Sequence, residues 1–389
     1  MKELIKMIKT VKLVIYFLLS LSLLVEPILA ADQDCLKATR LVKQGLALDK
    51  DREGELEKYR QAVESCPTMA EAYYNMGVIL HSLGRDQEAE DAFSKAVKLK
   101  ESAQFLVALA TSETKQNNND AAKEHFKRAI ELEADNVKAL QGLAIIAERN
   151  GDLDKALQYL KKAEELNGSD VNTLYNMAVV YDRQNETARA IASYRKVTEL
   201  NPDHFQAYYY MGLAYTRLGQ FDRAARALTH AAKLRPDDAA VHRALGDIYQ
   251  QLEDYDKAEL SYRKAISNDP SDVISRVNLG IVLVHKSQQA EAEEVLQKAV
   301  EADPTNSYAL SVLGWAQLEL GKLELAEKTL KEAIKIDGLN AAAHNNLGVL
   351  YQRLGKTELA SKEFKLAAQL NPKLVQAREN LKRFVLSRN

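Results

Sequence analysis

Polar residues recur along this 389-residue chain at a fixed spacing instead of in clusters. Lys115, Arg149, Arg183 and Arg217 stand 34 residues apart, with His285 and Arg353 at the same phase further on, and Asn75, Asn176, Asn278 and Asn346 share a second phase. A guanidinium holds a carboxylate through two hydrogen bonds, and an Asn amide meets both the donor and the acceptor of a peptide backbone. Together these are recognition chemistry for an extended peptide. A cation near a helix end also gains about 0.3–1 kcal/mol from the helix dipole whatever it binds, so the cationic ladder has two readings. Catalytic chemistry is absent from the pattern. The seven histidines are scattered, His242 and His344 fall at a core phase, and no pair has metal-ligand spacing with a third donor. There is no Gly-rich phosphate loop, paired-cysteine site or nucleophile elbow. The expectation is a chain that is not an enzyme and uses neither metal nor cofactor.

The elements that must position such ladders are set by the same period. Past the first thirty residues every proline (Pro67, Pro202, Pro236, Pro270, Pro304, Pro372) sits at one phase of 34, once a single missing residue is allowed for between the second and third units. Numbering each unit with proline at position 32 gives ten units, starting near Leu36, Ala70, Ala103, Val137, Val171, Phe205, Ala239, Val273, Ser307 and Ala341. In each unit apolar or small residues recur at positions 4, 7, 8 and 11, as in Tyr208, Met211, Gly212 and Tyr215, and again at 20, 24 and 27, as in Ala258, Tyr262 and Ala265. Both sets are one face of a 3.6-residue helix. Gly at position 15 closes the first helix, and short loops make the two helices antiparallel neighbours. Position 8 is Gly or Ala in units two to ten, which predicts close approach of the partner helix, at its Ala in position 20.

Segments such as AEAYYNMGVILHSLGRDQEAEDAFSKAVKL and AAAHNNLGVLYQRLGKTELASKEFKLAAQLNP resemble tetratricopeptide repeats, and the resemblance covers nearly all of residues 36–372. It implies an all-α, right-handed superhelical solenoid of antiparallel helix pairs that binds proteins, with the partner left open. A continuous register points to one elongated array over residues 31–373, followed by a capping helix at 374–389 with Leu374, Ala377, Leu381 and Phe384 on one side.

Helix geometry identifies the spare face. Positions 2, 6, 9 and 13 of the first helix point away from 4, 7, 8 and 11. Position 9 reads Val78, Thr111, Ile145, Val179, Leu213, Asp247, Ile281, Trp315 and Val349, which is mostly apolar where a solvated face would be polar. An in-register apolar stripe predicts an interaction groove; packing of position 9 against the adjoining unit is the alternative. In tetratricopeptide arrays the first-helix stripe lines the concave surface, so the resemblance implies a peptide groove there. Its expected residues are Tyr74, Asn75, Val78, Lys115, Ile145, Arg149, Asn176, Val179, Arg183, Tyr210, Leu213, Arg217, Asn278, Ile281, Trp315, Asn346, Val349 and Arg353.

The N-terminus reads as an export signal. Lys2, Lys6, Lys9 and Lys12 precede an apolar run from Leu13 to Val25, with Ala30 at the expected cut, so residues 1–30 are read as a cleaved signal peptide. The alternative is an uncleaved membrane anchor, disfavoured because the run ends at Glu26, short of the ~20 residues a span needs. The expected location is therefore periplasmic or extracellular, without membrane insertion after cleavage. Cys35 and Cys66 are the two cysteines, and they fall at equal heights on the first hairpin if it turns near Lys50, so a disulfide is expected, with a pair of packed thiols as the alternative. Net charge is −2, with both signs interspersed, so no nucleic acid is expected. The partner is a protein or peptide ligand serving a cell-envelope assembly, secretion or polysaccharide-export complex. A peptide-holding chaperone, or a structural spacer with self-association through stacked ends, are the other functions weighed.

Overall fold

The computed structural model describes residues 33–48 and 51–386, so the expected signal at residues 1–30 and the first hairpin's tip near Lys50 lie outside it. All its regular elements are helices, and the chain divides into two compact units between Glu186 and Thr187. The first holds α1 (33–46), α2 (Arg52–Ser65), α3 (Ala70–Ser82), α4 (Asp86–Leu99), α5 (Ala103–Lys115), α6 (Asn119–Leu132), α7 (Val137–Arg149), α8 (Leu153–Leu166) and α9 (Val171–Arg183). The second holds α10 (Thr187–Leu200), α11 (Phe205–Arg217), α12 (Phe221–Leu234), α13 (Ala239–Gln251), α14 (Tyr255–Asn268) and α15 (Val273–His285). It continues with α16 (Gln289–Ala302), α17 (Ser307–Glu319), α18 (Leu323–Ile336), α19 (Ala341–Arg353), α20 (Thr357–Leu370) and α21 (Val375–Leu386). Within each unit successive helices pack as antiparallel pairs, and alternate first helices such as α17 and α19 also touch. The protein is all-α.

Two sets of short-range signals cut the helices to length. The residue at position 34 caps the next first helix: Asn136, Asp170, Asp238, Asp272, Asn306 and Asn340 each accept a hydrogen bond from the backbone N–H three residues on. Such a cap satisfies one of the otherwise unpaired donors of the first turn and is worth about 1 kcal/mol. At the other end position 15 takes the left-handed conformation in units two to ten: Gly84, Gly151, Gly219, Gly321 and Gly355 have φ of 68–80°, and Asn117, Asn185, Glu253 and Ser287 hold φ of 58–64°. The turn geometry is therefore the same whether or not the residue suits it.

The core is distributed. Separate clusters form around Tyr262, Phe126, Phe364, Phe93 and Leu228, each built from one hairpin together with one or more helices of the adjoining units. Small residues at position 8 make room for the large side chain at position 24 of the partner helix. A Cβ at Gly246 would come within 2.5 Å of the Tyr262 ring, and one at Gly348 within 2.7 Å of Phe364. The sequence points to Ala at position 20 for this contact. Those alanines are fully buried in the same layer, but the ring or Leu one turn on fills the space, because only it reaches across.

Candidate functional site

The residues at position 10 (Ile79, Ser112, Ile146, Val180, Ala214, Ile248, Val282, Ala316, Leu350) are all buried, at 4% exposure or less. Position 9 behaves otherwise. Val78, Thr111 and Asp247 are exposed, and Ile145, Val179, Leu213, Ile281, Trp315 and Val349 are half-buried. Packing against the adjoining unit is thus done by position 10, and position 9 keeps one side open.

In the second unit this stripe forms a groove of about 450 Å³ across α15, α17, α19 and α21. Ile281, Trp315 and Val349 supply its apolar floor, Ser311, Asn345, Asn346 and Asn380 its amides and hydroxyl, and Glu319, Glu379 and Arg383 its charges. Trp315 is positioned by His285, whose ring meets it edge-on at 5.5 Å and itself stacks on Tyr255 at 5.1 Å. The Asn346 amide donates to the Ser311 carbonyl at 3.2 Å, and the Asn380 amide to Asn345 Oδ1 at 3.0 Å. These bonds fix the amides in orientation and leave lone pairs and protons for a ligand. In the first unit a groove of about 490 Å³ is lined by Tyr74, Val78 and His81 of α3, by Gln104, Val107, Ala108 and Thr111 of α5, and by Asn136 and Lys138. Tyr74 stacks on Phe105 at 4.9 Å, which makes it a wall of this groove and part of the core at once.

The structure brings Ile281, Trp315, Asn346 and Val349 together in one groove and Tyr74 and Val78 in the other. The remaining expected residues do not line these two grooves. Asn75, Ile145, Asn176, Val179 and Leu213 are half-buried, Tyr210 is exposed and stacks on Tyr194 at 6.4 Å, and Arg217 is exposed. Asn278 donates to Asp247 Oδ1 of the preceding first helix at 3.0 Å. Asp247 also accepts the buried Tyr262 hydroxyl at 2.7 Å; although the residue as a whole is exposed, its carboxyl reaches back between the helices, and the desolvation there raises it from the ordinary range, against these two bonds.

The cationic ladder has a structural employment. Arg149, Arg183 and Arg353 each donate to a carbonyl at the C-terminal end of the preceding first helix, Thr114, Glu148 and Leu318 respectively, at 2.8–2.9 Å. Arg183 and Arg353 also pair with the Glu148 and Glu319 carboxylates, and Lys115 meets Asp86 at 2.7 Å. Each of these arginines thus stands in the last turn of its own helix and also complements the C-terminus of the neighbour. Sequence reasoning missed Ser311, Asn345 and the contribution of α21 to the groove. The signal was present, since α21 starts at Val375, 34 residues after Ala341, and this phase puts Asn380 and Arg383 at positions 6 and 9 of a further first helix.

Paired helices with a repeating small-to-large contact and an open first-helix stripe define a tandem helical-hairpin scaffold. Residues 167–380, more than half of the chain, match the family described as Cilia and flagella-associated protein 70 C-terminal domain, and residues 107–171 and 70–102 match families described as Tetratricopeptide repeat. The chain belongs to the tetratricopeptide repeat family, whose fold is that of a protein–protein interaction scaffold and generally not a catalytic one. Among curated proteins it is 32% identical over 95 residues to Protein O-mannosyl-transferase TMTC3 of Homo sapiens, a match to 24% of this chain that spans only 10% of that relative. Among solved structures, MamA from Desulfovibrio magneticus RS-1 is 27% identical, with 44% of this chain and 96% of that one covered and a TM-score of 0.42. YrrB, described as a TPR protein with an unusual peptide-binding site, is 24% identical, with 49% and 97% covered and a TM-score of 0.39. These overlays are too loose to locate a partner site. Among the described residues no helix is long and apolar enough to cross a membrane, and no group of His, Cys, Asp or Glu could hold a metal ion.

Proposed function

We propose that this protein is an exported scaffold that holds an extended segment of a partner protein against its first-helix stripe, with the groove of α15, α17, α19 and α21 as the principal site. One observation carries the reading: Ile281, Trp315 and Val349 stay half-buried on the floor of an open groove whose walls are amides. An apolar floor gives affinity by releasing water, and fixed amides select an extended backbone over a compact surface. Aromatic residues in such a floor are where binding energy concentrates. Export rests on the Lys-rich, then apolar N-terminus and on the Cys35–Cys66 disulfide, a bond favoured in oxidising compartments. Service in an envelope assembly, secretion or polysaccharide-export complex follows from that location and is the most specific part of the proposal.

Trp315 is the chain's single tryptophan, so its emission reports this groove alone. Dodecapeptides selected from a random display library on the full chain should shift that emission on titration. Their affinity should fall about tenfold or more in Val349→Glu, as expected when a charge meets a desolvated apolar contact. Leu260→Glu, an exposed site on α14, should leave it unchanged. Binders that ignore Val349→Glu and leave the emission unmoved would refute the proposal.

A further inference from the structure

We propose that a depression on the opposite side of the second unit, between α10 and α12, binds an acidic segment of a partner protein. The overall charge conceals a local excess: residues 187–235 carry eight Lys or Arg against three acids, Glu199, Asp203 and Asp222. Three of these cations, Arg195, Arg223 and Arg226, surround a hollow of about 420 Å³ with Tyr208, Tyr215 and His230. Tyr208, at position 4, and Tyr215, at position 11, face away from the groove stripe, so this site is independent of the one above.

The arginines are short of carboxylates. Elsewhere in this unit Arg243, Arg263, Lys286, Lys322 and Arg353 each close on an acid within 3.1 Å. Among the described residues Arg223 donates to the Gln220 amide oxygen alone, at 2.9 Å, and lies over the Tyr215 ring at 5.9 Å. Among the described residues Arg226 has no ion pair, and Arg195 pairs with Glu199 alone, at 3.5 Å, between two highly exposed side chains, which is a weak bond. Arg223 also stands in the first turn of α12, where the helix dipole disfavours a cation, so helix stability does not account for it.

The hollow is walled by aromatics: the Tyr208 and His230 rings stack at 4.1 Å. Guanidinium forks held against ring faces are arranged for planar carboxylates. The excess is a patch and not a track, because Asp222 lines the adjoining hollow and Glu199 the rim, and a continuous polyanion would meet both. An acidic peptide fits this arrangement better than a nucleic acid.

The test uses the full chain and three fluorescein-labelled probes read by anisotropy: a dodecapeptide of alternating Glu and Ser, its Gln counterpart, and a dodecamer of thymidylate. The Glu peptide should bind, weaken with added salt, and lose about tenfold or more in Arg223→Glu/Arg226→Glu, while Trp315→Ala leaves it unchanged. Both arginines are exposed, so folding should survive; should the double variant melt early, Arg226→Gln must still weaken the peptide. Equal binding of the Gln peptide, indifference to these arginines, or tighter binding of thymidylate through them would overturn the proposal.

Discussion

Glu253 holds φ of 58° at the turn position where five other repeats place glycine. A side chain in this region costs about 1 kcal/mol that glycine does not. Glu253→Gly should therefore raise the urea midpoint by the equivalent of about 1 kcal/mol, although glycine elsewhere in a helical array would lower it. His344 shows a second consequence of position. Both its ring nitrogens face acceptors, Glu363 Oε2 at 2.6 Å and the Gly338 carbonyl at 3.2 Å, so the doubly protonated ring satisfies both. The bond to Glu363 raises its pKa above the ordinary value of 6.5, against the opposing effect of burial. A raised histidine contributes stability that is fully present below the unfolded value and is lost as pH rises through the folded one. Unfolding midpoints from about pH 6 to pH 8.5 should fall with pH in the wild type and more shallowly in His344→Gln. At this scale the sequence tells which phase a residue occupies but not its partner. His344 is legible as a core residue, whereas its carboxylate lies on α20 and only packing brings the two together. The arginines of the ladder are legible as helix-end cations, yet the neighbouring helix end they also serve is not.

The disulfide belongs to a single hairpin. Cys35 and Cys66 are joined across α1 and α2, with Cα atoms 4.8 Å apart, closing a loop of sequence separation 31. On the chain-entropy account such a loop stabilises by about 3–4 kcal/mol. Stability in a repeat array is a sum of unit and nearest-neighbour contributions, so the effect should stay local. Reduction should lower hydrogen-exchange protection in α1, α2 and α3, and leave α11 through α20 unchanged; an equal loss throughout would show that the array unfolds as one. The helices themselves were open to reading from their period, because position 4, 7, 8 and 11 residues must meet 20, 24 and 27. The position-34 caps carried an equally regular signal, an Asn or Asp before most first helices. The role of α21 was harder to see. Its apolar side resembles a cap, and Leu381 does pack against the last core cluster, but its polar side finishes the groove.

The described core clusters follow one another along repeated hairpins whose first helices keep one row open. Fold class was legible throughout, since a pattern copied in register averages away the noise of any one segment. The site was legible only as a stripe. Nine positions share a phase, and which of them border a groove depends on local depth: Trp315 and Val349 do because α21 closes one side, whereas Val179 and Leu213 do not line either groove. The central claim is that the second unit holds a partner segment in that groove. The direct measurement is photo-cross-linking of a selected peptide carrying benzophenone, with the linked residues mapped by mass spectrometry on the full chain. The account predicts links to α15, α17, α19 and α21 at or beside Ile281, Trp315, Val349 and Asn380. Links confined to the second helices, with these four helices unlabelled, would contradict it.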